Sequence, residues 1–182
     1  MAFSIAGIQG YFARHCLSPE YAYLATALLS PHWQPNQGLD VRIAVDATAA
    51  GLPEEQHAPY QLNEPSHPLP QLPTGLSMYG PRLALASKNP AEIEAHLSAG
   101  HPVGVLIALT QSFMKPVNGI VAFETAVYPG RHAVIVVGFG TDSNGEPHYL
   151  ICNSWGADWG INGHAWISRS YLTLHTSCAY GA

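Results

Sequence analysis

Apolar side chains in the first 30 residues follow the spacing of helices that bury one face. Those of the opening stretch recur at intervals of three and four, at Met1, Ile5, Ile8 and Phe12. This spacing predicts a helix that begins at the first residue, although no side chain precedes it to cap the first turn. A second helix is predicted over residues 17–29, since Ser18 can act as its N-cap and Pro19 suits its first position.

The stretch from Pro31 to Pro81 is rich in Pro, His and Asn and lacks a sustained apolar period. We expect an ordered loop that contains one short helix, which ends near Gly51. A flexible linker between two domains is the alternative for the rest of this stretch.

The pattern changes at Asn89, which can cap a helix that starts with Pro90 and ends at Gly100. Apolar runs after this helix predict β-strands. They lie at residues 102–110, 132–140, 148–156 and 164–168. The Asn144-Gly145 pair between the second and third runs is a strong hairpin signal. Helices followed by an antiparallel sheet make an α+β layout.

Composition limits the classes of partner. The 182 residues are 47% hydrophobic and 10% charged, with a formal net charge of −5 and no basic run. A compact, loop-rich globule is expected, and neither nucleic acid nor a membrane is expected as a partner. No targeting signal is visible, so cytoplasmic and exported locations both stay open.

The three cysteines Cys16, Cys152 and Cys178 show no CxxC spacing, so neither a disulfide framework nor a zinc site is predicted. We expect no metal and no cofactor. Cys152 precedes Asn153 on a strand and should therefore point to the opposite face, as a small buried hydrophobe.

His132 and Asn153 are the residues that suggest chemistry. The predicted hairpin places their strands side by side, so the two side chains could meet. An amide oxygen can accept the Nδ1–H of the imidazole and fix its orientation, and the indole of Trp155 beside that bond would exclude water. A histidine oriented in this way is a general base that needs a nucleophile.

Residues 132–140 and 149–167 resemble the His-Ala strand and the Asn-Ser-Trp-Gly segment of papain-like cysteine peptidases of the C1 type. The resemblance implies an α+β fold in which a helical lobe packs against a twisted antiparallel sheet or barrel lobe, with a cleft between them. It further implies one papain-like domain over residues 1–182 that lacks its N-terminal segment. Its parts would be a helical lobe at 1–30, a loop-rich part at 31–88 and a mainly β lobe at 89–182.

The resemblance also implies roles for individual residues. His132 would be the catalytic base, Asn153 would orient it, and Trp155 would shield their hydrogen bond, with Ser154 in support. Arg131 and Ala133, on either side of the histidine, would be candidates for the substrate cleft.

The run from Met1 and Ala2 to Ser4 is similar to the start of the family's active-site helix without its cysteine. The nucleophile is therefore expected directly before Met1, and a glutamine of the oxyanion hole is expected further upstream. Cys16 cannot replace that nucleophile, since about 1.5 Å of rise per residue puts it roughly 20 Å from the start of the helix.

Three explanations of the missing thiol remain. In the first, the chain is one piece of a longer peptidase, with the cysteine supplied by its own N-terminal segment or by a second chain. It could instead be a binding or regulatory module that has lost the thiol. A thiol upstream could also serve acyl transfer, as in acyltransferases and transglutaminase-like enzymes. We favour the first, in which the 182-residue chain is inactive by itself and the complete enzyme hydrolyses a protein or peptide substrate.

Overall fold

A computed structural model describes all 182 residues of the chain. The chain divides into two compact units, of which the first comprises residues 1–84 with Ala182 and the second comprises residues 85–181. Not one of the helices combines the length and the apolar character needed to cross a bilayer.

The first unit is helical. Its helices are α1 (Ala2–Ala13), α2 (Pro19–Leu29) and α3 (Val41–Ala47), followed by a single 3-10 turn at Glu55–His57. The hydroxyl of Ser18 accepts a hydrogen bond from the backbone N–H of Tyr21 at 2.9 Å, as expected of an N-cap. The three predicted helices of this part of the chain are confirmed.

The loop-rich stretch that follows α2 belongs to the first unit and is not a linker between two domains, because the boundary falls at residue 84. The buried side chain of Gln9 on α1 forms hydrogen bonds with the backbone of this stretch. Its Nε2 donates to the carbonyl oxygens of Thr48 at 3.0 Å and Pro81 at 2.8 Å. Gly80 lies against Gln9 so closely that a Cβ on it would come within 2.6 Å of the Gln9 side chain. The hydrogen bonds of one buried polar side chain thus fix the position of this long irregular stretch.

The second unit is built on a seven-stranded sheet. Its strands are β1 (Ala84–Ala86), β2 (Val103–Ile107), β3 (Ile120–Val121), β4 (His132–Thr141), β5 (Pro147–Cys152), β6 (His164–Ser168) and β7 (Thr176–Gly181). They are arranged in the order β1-β7-β2-β4-β5-β6-β3, so the sheet is open rather than closed into a barrel. The ladders from β7 to β6 are antiparallel, whereas β3 pairs with β6 in parallel. The predicted α+β class is confirmed.

Helices also occur between the strands of this unit, so helices do not simply precede the sheet. They are α4 (Pro90–Ser98), α5 (Gln111–Met114) and α6 (Arg169–His175). The helix predicted from the Asn89 cap is α4, and Asn89 Oδ1 accepts from Ala91 N at 3.0 Å. His175 closes α6 and is buried.

The β4–β5 hairpin sets the position of the candidate site. Asp142 Oδ1 accepts from the backbone N–H groups of Asn144 at 2.9 Å and Glu146 at 2.8 Å. Gly145 has φ of 83°, a conformation that glycine adopts without strain. This turn fixes a register in which Ile135 on β4 lies opposite Cys152 on β5. The first residue of β4 and the residue that follows β5 therefore lie at the same end of the hairpin.

Candidate active site

His132 and Asn153 meet at that end of the hairpin. His132 Nε2 lies 2.7 Å from Asn153 Oδ1, a short and well-formed hydrogen bond. The sequence-based expectation named Nδ1 as the donor, which is wrong. Which nitrogen faces the amide depends on the direction from which the ring approaches it, and a strand pairing alone does not define that direction.

The side chain of Asn153 is fixed by its own surroundings. Its Oδ1 also accepts a hydrogen bond from the backbone N–H of Ser154 at 2.8 Å, and its backbone N–H donates to the carbonyl of Gly163 at 2.9 Å. Asn153 is only 8% exposed, and its Nδ2 is buried without a hydrogen-bond partner. Two donors on one oxygen keep the amide turned with that oxygen toward His132.

The hydrogen bond determines how His132 carries its proton. Because an amide oxygen only accepts, the Nε2 of His132 holds the hydrogen, and in the neutral ring Nδ1 keeps its lone pair. Burial lowers the pKa of His132 below its ordinary value, and the hydrogen bond to Asn153 opposes part of that shift. The ring is thus an oriented neutral imidazole with Nδ1 available to accept a proton.

Two aromatic rings lie beside this imidazole. The indole of Trp155 lies 4.7 Å from it between ring centroids, with 42° between the planes, and Trp155 keeps 39% of its surface exposed. Phe113 on α5 is fully buried, and its ring centroid lies 6.0 Å from that of His132. Phe113 was not among the predicted site residues. Nothing in its four-residue helix marks it as a neighbour of a residue 19 positions further along the chain.

The remaining predicted residues lie in different surroundings. Arg131 is exposed, and its Nη1 donates to the carbonyl of Gly130 at 3.1 Å, whereas Ala133 is buried on β4. Met1 and Ala2 lie in the first unit, where the carbonyl of Met1 accepts the first hydrogen bonds of α1. The roles given to these four residues stay predictions.

All three cysteines are free thiols. Cys152 is half-buried at the end of β5, and burial raises the pKa of its thiol. Cys16 is exposed and donates to Glu55 Oε2 at 3.2 Å, a contact that raises the pKa of Cys16. Neither environment favours the thiolate that a nucleophile requires. Across the chain, no group of three or more His, Cys, Asp or Glu side chains is arranged to hold a metal ion.

Known proteins with similar sequences and structures are cysteine proteases. A gut-specific cysteine proteinase of Caenorhabditis elegans is 38% identical over 82 residues, which is 45% of this chain and 25% of that protein. The matched part of the chain thus spans about a quarter of the length of the curated relatives.

Solved structures show the same fold across nearly the whole chain. Xylellain, a cysteine protease from Xylella fastidiosa, superposes with a TM-score of 0.78 at 18% identity, and the match covers 99% of this chain and 77% of that one. The bromelain protease from Ananas comosus, in complex with the E64 inhibitor, gives a TM-score of 0.74 at 21% identity, with 98% and 86% covered. The model of the papain family cysteine proteases matches residues 36–181, the greater part of the chain and all of the β4–β5 hairpin. The chain belongs to the papain family of cysteine proteases.

Proposed function

We propose that this chain is part of a thiol-dependent peptidase, in which His132 and Asn153 work with a cysteine located directly before Met1. The observation that carries the proposal is the 2.7 Å hydrogen bond from His132 Nε2 to Asn153 Oδ1, found in a chain that belongs to the papain family. That contact leaves Nδ1 as the atom that exchanges protons with the thiol and the substrate.

The start of α1 is a suitable place for such a thiol. The helix extends over 12 residues and no side chain caps its N-terminus. The free N–H groups and the dipole at a helix N-terminus stabilise a thiolate, and a neighbouring imidazolium lowers the pKa of the thiol further. Cys16 and Cys152 lack such an environment, since their surroundings raise the pKa of each thiol.

The reaction follows from these parts. The thiol transfers its proton to Nδ1 of His132, and the thiolate attacks the carbonyl carbon of the scissile peptide bond. The C–N bond then breaks while Nδ1–H protonates the departing amine, which leaves a thioester. Nδ1 next removes a proton from water, the resulting hydroxide attacks the thioester, and the carboxylic acid and the thiol are released. Asn153 keeps the imidazole aligned through both proton transfers.

Two consequences concern the chain itself. The 182 residues contain no thiol at the start of α1, so we expect no peptidase activity from them alone. A segment upstream, or a second chain, would supply both the cysteine and the glutamine of the oxyanion hole. The substrate would be a protein or a peptide.

A labelling experiment tests the proposal. The chain is extended by an upstream segment that carries a cysteine directly before Met1, and its reaction with an epoxide probe or iodoacetamide is followed by mass spectrometry of that peptide. We expect rapid modification of the added cysteine and slow modification of Cys16 in the same molecule. A matched chain with alanine at the added position should show only the slow reaction. A folded extended chain whose added cysteine reacts no faster than Cys16 would argue for a binding module instead.

A further inference from the structure

The short helix α5 brings one buried ring into the aromatic group around His132. The ring centroid of Phe113 lies 6.0 Å from His132, 5.5 Å from Trp155 and 5.0 Å from Trp159. Its plane is inclined by 65° to the imidazole and 88° to the indole of Trp155, so it meets both in edge-to-face geometry. The single aromatic ring of α5 is thus in contact with the rings of His132, Trp155 and Trp159.

Two buried hydrogen bonds fix the backbone of Phe113. Its N–H donates to Thr110 Oγ1 at 3.2 Å, and its carbonyl accepts from Trp159 Nε1 at 2.9 Å. Both hydrogen bonds are buried, where the loss of a partner is costly. A helix of only four residues has little stability of its own, so these two bonds define where Phe113 sits.

The N-cap of α5 is in turn anchored to α6. The hydroxyl of Tyr171 lies 3.3 Å from Thr110 Oγ1 and donates to the carbonyl of Ala108 at 3.0 Å. Tyr171 is fully buried, and its hydrogen bonds are with Thr110, Ala108 and Ser168. Thus Tyr171, Thr110 and Phe113 form a continuous series of contacts that ends at the imidazole.

We propose that Phe113 is a positioning residue for His132, which it holds against Asn153 and Trp155, and that Tyr171 sets its place through Thr110. Phe113 excludes water from the part of the imidazole that it contacts and limits the rotation of the neighbouring indole of Trp155. As a statement about catalysis this rests on the proposed peptidase function. As a statement about the imidazole it holds without any thiol and can be tested on the 182-residue chain.

The first test is Phe113→Leu, with Phe139→Leu as the matched control, because Phe139 lies on β4 and is 44% exposed. The titration of His132 is followed by NMR and assigned with His132→Ala. If Phe113 keeps water from the ring, Phe113→Leu should raise the pKa of His132 by about half a unit or more toward its ordinary value, since burial is what lowers it. Phe139→Leu should leave the titration unchanged. An unchanged His132 titration in a folded Phe113→Leu protein would overturn the proposal, even if the protein were less stable.

A second pair of variants decides the question if Phe113→Leu does not fold. Tyr171→Phe removes only the hydroxyl that anchors Thr110, and Tyr149→Phe removes the hydroxyl of another fully buried tyrosine of the same unit. We expect Tyr171→Phe to raise the pKa of His132 and Tyr149→Phe to leave that pKa unchanged. Equal behaviour of the two variants would contradict the proposed positioning.

A measurement of turnover distinguishes failure of the positioning proposal from failure of the peptidase proposal. In the chain extended with the cysteine, Phe113→Leu should lower kcat several-fold and leave KM nearly unchanged, since Phe113 is fully buried and contacts the base. If the extended chain shows no turnover at all, the peptidase proposal fails, and the NMR comparison still tests the positioning role.

Discussion

The indole of Trp155 covers the imidazole of His132, with 4.7 Å between the ring centroids. The rings are close enough to exclude water from one side of the His132–Asn153 hydrogen bond. Hydrogen bonds that water cannot reach are electrostatically stronger than exposed ones. We therefore expect the exposed Trp155 to shield this hydrogen bond from water, which can be measured without an active enzyme.

Removal of this indole should expose the hydrogen bond. In Trp155→Ala we expect the Nε2 proton of His132 to exchange with water much faster, so that its NMR signal broadens or disappears at a pH where the parent chain shows it. Trp166→Ala is the control, because Trp166 is 37% exposed, close to the 39% of Trp155, but lies on β6 opposite Leu150. A persistent Nε2 signal in Trp155→Ala would mean that the indole does not shield the bond.

The lowered pKa of His132 makes stability depend on pH. Below an ordinary histidine pKa of about 6.5 the unfolded chain binds a proton at this residue, whereas the folded chain binds it only at lower pH. The unfolded state then holds more protons, so the contribution of His132 to the free energy of unfolding falls as pH drops from about 7 through this range. It becomes constant once the folded residue is also protonated.

Urea unfolding between pH 5 and 8 measures this effect, with His132→Gln compared against the parent chain. A glutamine amide stays neutral, so the variant should lose less stability on acidification. His148→Gln, at a histidine that Asn153 does not contact, should keep the slope of the parent chain. Parallel pH profiles for His132→Gln and the parent chain would contradict the lowered pKa.

A separate contact joins three elements of the second unit. The hydroxyl of Tyr149 on β5 donates to Glu94 Oε1 on α4 at 2.5 Å, and Arg169 of α6 forms an ion pair with the same oxygen. Burial, together with the contact with Glu94, raises the pKa of Tyr149 to about 12. Tyr149→Phe should reduce the free energy of unfolding by about 1.5–3 kcal/mol, as expected for a hydrogen bond to a charged group.

Denaturant unfolding of Tyr149→Phe is compared with that of Tyr128→Phe. Tyr128 also donates its hydroxyl to a side chain, Gln111, but at an exposed site, so its loss should cost less than about 0.5 kcal/mol. Equal losses in the two variants would show that the contact with Glu94 adds nothing to stability.

Local signals predicted those elements whose start and end are encoded within a few residues. Ser18 and Asn89 both act as N-caps, and Gly145 occupies the turn that pairs β4 with β5. The motifs on these strands also predicted that His132 and Asn153 would meet. Their contact depends on a hairpin register, which a tight turn fixes locally.

The elements missed depend on contacts between distant parts of the chain. β7 pairs with β2 more than 70 residues earlier, at Leu106 and Cys178, and no local pattern reports such a partner. Helix α6 is seven residues long and relies on packing rather than on propensity. Phe113 reaches His132 through tertiary packing alone. The choice of Nε2 over Nδ1 depends on ring orientation, which sequence spacing does not determine.

The most direct test of the central claim is turnover of a peptide substrate by the chain extended with a cysteine directly before Met1. His132→Ala is compared in that chain with His148→Ala, and folding of both is checked by circular dichroism. Loss of an oriented general base should lower kcat/KM by about 10²–10⁴-fold in His132→Ala, whereas His148→Ala should match the parent enzyme. A folded His132→Ala enzyme with undiminished turnover would contradict the assignment of His132 as the base.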